Sequence, residues 1–180
     1  LANLITSAQN EAHVTPLQDS LWHRAMVGIG SCVFTQGENL ALQVMSNTKV
    51  RIKSGTGMLQ GRFFCIDPNT YDEVDIDSGA QGMNRIDLIC AKITQNQNGT
   101  QSFSWEVIKG TSTDGTPTVP DYTEGSLDDG DAVGRMALAT VTLTGIEITE
   151  TAIVADVMID DCSMTEAEYD ELAALLGITE

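Results

Sequence analysis

The sequence predicts a mainly β fold, an antiparallel β-sandwich or barrel-like sheet with one short helix near each end. Three observations carry this. Between Arg85 and Gly110, apolar and polar residues alternate on either side of a polar stretch, Gln95 to Thr100, which reads as two antiparallel strands joined by a turn. Shorter alternating runs recur every ~8–12 residues with turn residues between them. Both flanks switch to helical spacing behind helix-start signals. The 180 residues suffice for one core domain with appendages: an arm and short helix at 1–35, a β core at 36–160 and an amphipathic helix at 161–180.

Residues 1–13 are polar and irregular and read as a frayed arm. Thr15-Pro-Leu-Gln18 is a helix start: Thr15 caps, Pro16 suits the first helical position and Gln18 reaches back in a capping box. Leu17, Leu21 and Ala25, with Trp22 and Met26 beside them, then recur at helical spacing, so a helix is expected from Pro16 to Met26, halted by Gly28 and Gly30. Trp22 reads as a core or interface anchor. His23 on this helix and His13 in the arm lack companions at a catalytic spacing and read as surface histidines.

From Leu40 the pattern becomes short strands. Leu40, Leu42 and Val44 alternate, Ser46-Asn-Thr48 breaks them, and Val50 and Ile52 alternate again. Ser54-Gly-Thr-Gly57 is expected to turn the chain into a strand from Met58 to Ile66, and Asp67-Pro-Asn-Thr70 to turn it once more, with Asn69 tolerating a left-handed backbone. Asp75 and Asp77, alternating with Val74 and Ile76, read as the solvent face of a strand. Gly79-Ala-Gln-Gly82 precedes a strand rather than following one, the wrong order for a phosphate loop, and is read as a loop needing positive backbone angles.

In the central hairpin the buried stripe is expected to run through Ile86, Leu88, Cys90 or Ala91, and Ile93 on one strand, with Phe103, Trp105 and Val107 on the other. Arg85 and Asp87 are expected to lie off that stripe and to pair near the loop ends. A long loop, Thr111 to Gly134, follows; a loop of that length is usually functional or a contact surface. Met136, Leu138, Val141 and Leu143 give another strand, Ile146 and Ile148 continue past a turn, and Ala152 to Ile159 is a last apolar run. Thr165-Glu-Ala-Glu168 is a capping box before Tyr169, Leu172, Ala173 and Leu176, with Gly177 as a stop. So short a helix needs to dock on its own domain or on a neighbouring subunit.

Nine Lys plus Arg against twenty-six Asp plus Glu give a net charge of −17. That field repels phosphate backbones and anionic lipid, so neither nucleic acid nor membrane is an expected partner. The clusters Asp67 to Asp77 and Asp128-Asp-Gly-Asp131 miss the calcium-loop pattern and read as solvated acidic surface. Cys32, Cys65, Cys90 and Cys162 form no zinc spacing and read as buried free thiols. No basic-then-apolar leader precedes the first helix, which points to synthesis in a cytoplasm. Nucleophile elbows, zinc-protease motifs, phosphate loops and dinucleotide fingerprints are all missing, so no catalytic residue, cofactor or metal is assigned. The binding candidates are the aromatics Trp22, Tyr71, Trp105 and Tyr122.

An ordered series of short motifs adds to this: Thr15-Pro-Leu-Gln-Asp19, Ser46-Asn-Thr-Lys-Val-Arg-Ile52, Leu59-Gln-Gly-Arg62, Tyr71-Asp-Glu-Val74, Gly79-Ala-Gln-Gly82, Arg85-Ile-Asp-Leu-Ile89 and Val107-Ile-Lys-Gly-Thr111. In that order, from about Asn3 to Ile148, the chain resembles tail and baseplate structural proteins of phages and prophages of Gram-positive bacteria. It departs from them at Arg135-Met-Ala-Leu138 and Ala91-Lys-Ile93. The resemblance implies a non-enzymatic, β-rich module of a tail appendage in the virion. Its implied partners are its own copies, commonly as a trimer, and other tail or baseplate proteins. Two other functions compete with it: a receptor-binding module that holds cell-surface saccharide on exposed aromatics, and a glycan-acting hydrolase with a carboxylate pair.

Overall fold

A computed structural model of the chain describes residues 14–28, 30–96 and 100–158. They form one helix, α1 (Pro16–Val27), and nine strands: β1 (Cys32–Phe34), β2 (Leu42–Ser46), β3 (Lys49–Leu59), β4 (Arg62–Asp75), β5 (Asn84–Gln95), β6 (Gln101–Ile108), β7 (Val133–Thr144), β8 (Glu147–Ile153) and β9 (Val157–Met158). The fold is therefore mainly β. The expected carboxy-terminal helix and Cys162 lie outside the described residues.

The strands make two sheets, antiparallel except where β9 runs parallel to β1. In the first, β3 is central, with β4 along one side and β2 and then β1 along the other. The second has the order β6-β5-β7-β8. One cluster of buried side chains draws on both, with Val33, Val50, Ile52, Phe64 and Val74 from the first sheet and Ile89, Ala91, Ile93, Leu138, Val141 and Leu143 from the second.

The central hairpin forms as the alternation predicts, with Leu88 opposite Ile108 through to Gln95 opposite Gln101. Its faces are a correction. Alternation places Arg85, Asp87, Ile89, Ala91 and Ile93 on one side of β5, and the last three join the shared core. Leu88 and Cys90 point the other way, where they too are buried. Arg85 and Asp87 thus lie on the core face, 3% and 0% exposed. Their pairing is as expected: Arg85 Nε donates to Asp87 Oδ1 at 2.7 Å and Nη2 to Oδ2 at 2.9 Å. Arg85 Nη2 also donates to the Asp77 carbonyl at 2.6 Å, and the Gly110 N–H donates to Asp87 Oδ1 at 2.9 Å. Two buried charges are tolerable because each is paired and hydrogen-bonded to loop backbone.

Two expected turns are strand instead. Ser54 to Gly57 runs straight through β3, because these glycines serve close approach and not reversal. A Cβ on Gly55 would meet the Leu40 backbone nitrogen at 2.5 Å, and one on Gly57 the Phe64 ring at 2.3 Å. The reversal comes at Gln60 and Gly61, both with positive φ (49° and 80°), as a two-residue hairpin turn with the hand of the sheet twist requires. Asp67 to Thr70 is a bulge inside β4: pairing steps from Gly55–Ile66 to Lys53–Tyr71. Asn69 does take the left-handed conformation, at φ 62°.

Cys32 and Cys90 are buried free thiols, pushed up to about 11 by burial. Cys65 is exposed, since the alternation of β4 gives the inward positions to Phe64 and Ile66. Among the described residues no helix is long and apolar enough to cross a membrane.

Candidate functional site

Helix α1 is built by its caps. The Gln18 N–H donates to Thr15 Oγ1 at 3.2 Å and the Thr15 N–H to Gln18 Oε1 at 3.0 Å, closing the capping box; Gly28 ends the helix at φ 86°. The helix docks by its polar side. Ser20, its buried residue, sits against the β3–β4 turn so closely that a Cβ on Gly61 would lie 2.2 Å from the Ser20 carbonyl oxygen. His23 Nδ1 donates to the Gly61 carbonyl at 2.8 Å, which sets the tautomer, and the imidazole stands edge-on to Phe63 at 4.6 Å.

Arg24 reaches the Asp128 carboxylate, whose other oxygen accepts from Arg62 Nη2 at 3.0 Å. Gln60 completes the mount. Its side chain donates to the Gly125 carbonyl at 2.7 Å and accepts from the Leu127 N–H at 2.9 Å. Helix, hairpin turn and the end of the long loop are thus locked by polar contacts in which the Asp128 cluster is a structural partner.

The opposite side of α1 is apolar and faces out. Val14 is 45% exposed, Leu17 42%, Leu21 50%, Trp22 62% and Met26 70%. Leu17, Leu21 and exposed Ala25 follow one another at four-residue spacing, with Trp22 and Met26 as the adjoining row, so they form one stripe. Amphipathic helices ordinarily present the reverse orientation to their own domain. Full burial of one Leu-sized side chain contributes about 1.5–3 kcal/mol, and the partial exposure of these side chains leaves part of that contribution unrealised.

The other aromatic candidates lie elsewhere and do not converge with Trp22. Tyr71, 50% exposed, borders the β4 bulge, and the Arg51 guanidinium lies 3.6 Å from its ring centre. The two line an open cleft of about 340 Å³ with Glu38, Gln43, Lys53, Asn69 and Thr70. Lys53 pairs with Glu38 at 3.1 Å and Arg51 with Glu73 at 3.2 Å. Hydrogen bonds from Lys53 and Ser54 hold the Glu38 carboxyl below its usual range, and those from Lys49 and Arg51 do the same for Glu73.

Trp105 is half-buried. Its indole N–H donates to Asp72 Oδ2 at 2.7 Å, and its ring stands edge-on to Phe103 and Phe64, tying β6 to β4. Tyr122 is also half-buried over the second sheet, its hydroxyl accepting from the Ala137 N–H at 3.3 Å and donating to Glu124 at 3.3 Å. Burial pushes that phenol up. Both polar tips are committed internally.

Sequence reasoning did not find Ser20, His23, Arg24, Arg62 and Asp128 as a docking set, or Arg51 beside Tyr71. The alternation Lys49-Arg51-Lys53 in so acidic a chain was the available signal for Arg51. Compared with known proteins, the chain matches no family model and no curated protein sequence.

Proposed function

We propose that this chain is a structural subunit of an oligomeric protein assembly, held there through its terminal segments. The observation that carries the proposal is α1, anchored by its polar side and presenting Leu17, Leu21, Trp22 and Met26 outward. Contiguous exposed apolar surface rimmed by polar residues is a mark of interaction sites. The ordered motifs set out above support reading the assembly as a phage or prophage tail or baseplate appendage, with the chain proposed as a β-sandwich module of the virion, trimeric and without enzymatic activity. Native mass spectrometry of the full chain tests the assembly half of this: a defined oligomer is expected, and a monomer at every concentration overturns it.

A second function has its own observation, the Tyr71 cleft, where an aromatic ring with Arg51 over one face sits among hydrogen-bonding side chains of the kind that hold a cell-surface saccharide. A glycan array on wild type and Tyr71→Ala tests it; signal lost with Tyr71 supports the cleft, and equal signal or none removes it.

A further inference from the structure

The outward face of α1 is left exposed among the described residues, and the chain itself contains a segment of matching chemistry. We infer that residues 159–180 of a neighbouring copy cover the α1 stripe, exchanging a carboxy-terminal segment between subunits; this rests on the assembly proposed above.

The first argument is complementarity. Thr165 to Leu176 carries Tyr169, Leu172, Ala173 and Leu176 at helical spacing behind its capping box. Its twelve residues, like the 12 of α1, span about 18 Å as a helix. Gln18 is the polar member within the α1 stripe, and exposed Asp19 borders it beside Trp22 and Met26, so the acidic side chains of the segment are expected to face solvent rather than that margin. Two apolar stripes of equal length can pair while Asp19 and the carboxylates of the segment stay at the solvated margins.

The second argument is where the segment leaves the fold. β9 ends at Met158, opposite Phe34 of β1. Phe34 stacks on Phe63 at 5.4 Å, and Phe63 meets the His23 ring of α1. Met158 therefore lies beside the docked side of its own α1, whereas the stripe faces the other way, into solvent. Residues 159–164 reach about 20 Å when extended, enough to cross a subunit boundary to an adjacent helix.

Mixing two defective chains tests this. One lacks residues 159–180; the other carries Leu21→Lys and Trp22→Lys, which keep helix propensity while placing charge on the stripe. Both leave β1 to β9 intact, and unchanged circular dichroism and melting confirm it. Each is expected to be monomeric alone, and an equimolar mixture to give a complex holding one of each in native mass spectrometry.

A shortened chain that still oligomerises overturns the exchange and leaves the assembly proposal standing. Two monomers that do not combine also overturn it, because the segment then acts within its own chain. A full-length chain that is monomeric throughout removes the assembly proposal itself.

Discussion

The β5 strand and helix α1 place charge in opposite ways, and the contrast separates scaffold from surface. On β5 a charged pair is inside: Arg85 and Asp87 are almost fully buried, yet every contact they make closes within the chain, from the Asp77 carbonyl to the Gly110 N–H. On α1, His23 and Arg24 also point inward, to Gly61 and Asp128, but there the apolar half is left outside. Burying charge costs several kcal/mol unless each group is paired, so β5 is a finished structure. Exposing four large apolar side chains on one helix leaves stabilisation unused, and this is the ground for the partner proposed for α1.

The contrast breaks most directly at Asp87. Asp87→Ala leaves the Arg85 guanidinium buried without its counter-ion and is expected to cost about 3–5 kcal/mol, read as a lowered urea midpoint. A shift smaller than a surface substitution gives would show that water reaches the pair.

Gly61→Ala comes next. The added Cβ strikes the Ser20 carbonyl at 2.2 Å and a positive φ is disfavoured, so α1 is expected to detach from the turn; faster amide exchange confined to residues 15–28 reads this.

Thr15→Ala removes the cap acceptor for about 1 kcal/mol of helix stability and is expected to loosen α1 without moving the sheet transition.

Leu21→Lys sits at the far end of the scale for folding. At an exposed helix position it is expected to change monomer stability by about 0.5 kcal/mol or less, while abolishing association. This pairing of a negligible folding effect with a large assembly effect is what distinguishes α1 from β5.

The second sheet also carries a pH signature. Hydrogen bonding by Arg135, with Lys92 beside it, holds the Glu106 carboxyl below its usual range. A lowered folded-state pKa contributes stability above the unfolded value of about 4.3, and that contribution is lost as pH falls through the folded value. Glu106→Gln is therefore expected to flatten the acid side of the melting-temperature profile and to lower stability at neutral pH, where wild type keeps both ion pairs.

What could be read from the residues depended on how far apart the interacting groups lie. The β5–β6 hairpin and the α1 caps were legible because alternation and capping are local patterns. Which side of α1 docks was not, since His23 meets Gly61 across 38 residues and Arg24 meets Asp128 across 104. Gly55 and Gly57 misled for a related reason: glycine marks both reversal and close approach, and the atoms they admit, Leu40 and Phe64, come from other parts of the fold. The core face of β5 was misread because Arg85 and Asp87 look like solvent residues until their partners in the loops are brought to them. Of the aromatic candidates, Trp22 and Tyr71 remain half or more exposed, while Trp105 and Tyr122 spend their polar tips on Asp72, Glu124 and the Ala137 backbone.

The central claim is that α1 is covered by another chain in solution. Trp22 reports on it directly once Trp105→Phe removes the other indole. Dilution from micromolar to nanomolar is expected to shift Trp22 emission to longer wavelength in step with loss of the oligomer. Emission that is already that of water-exposed indole at the highest concentration, and does not move on dilution, would contradict the account.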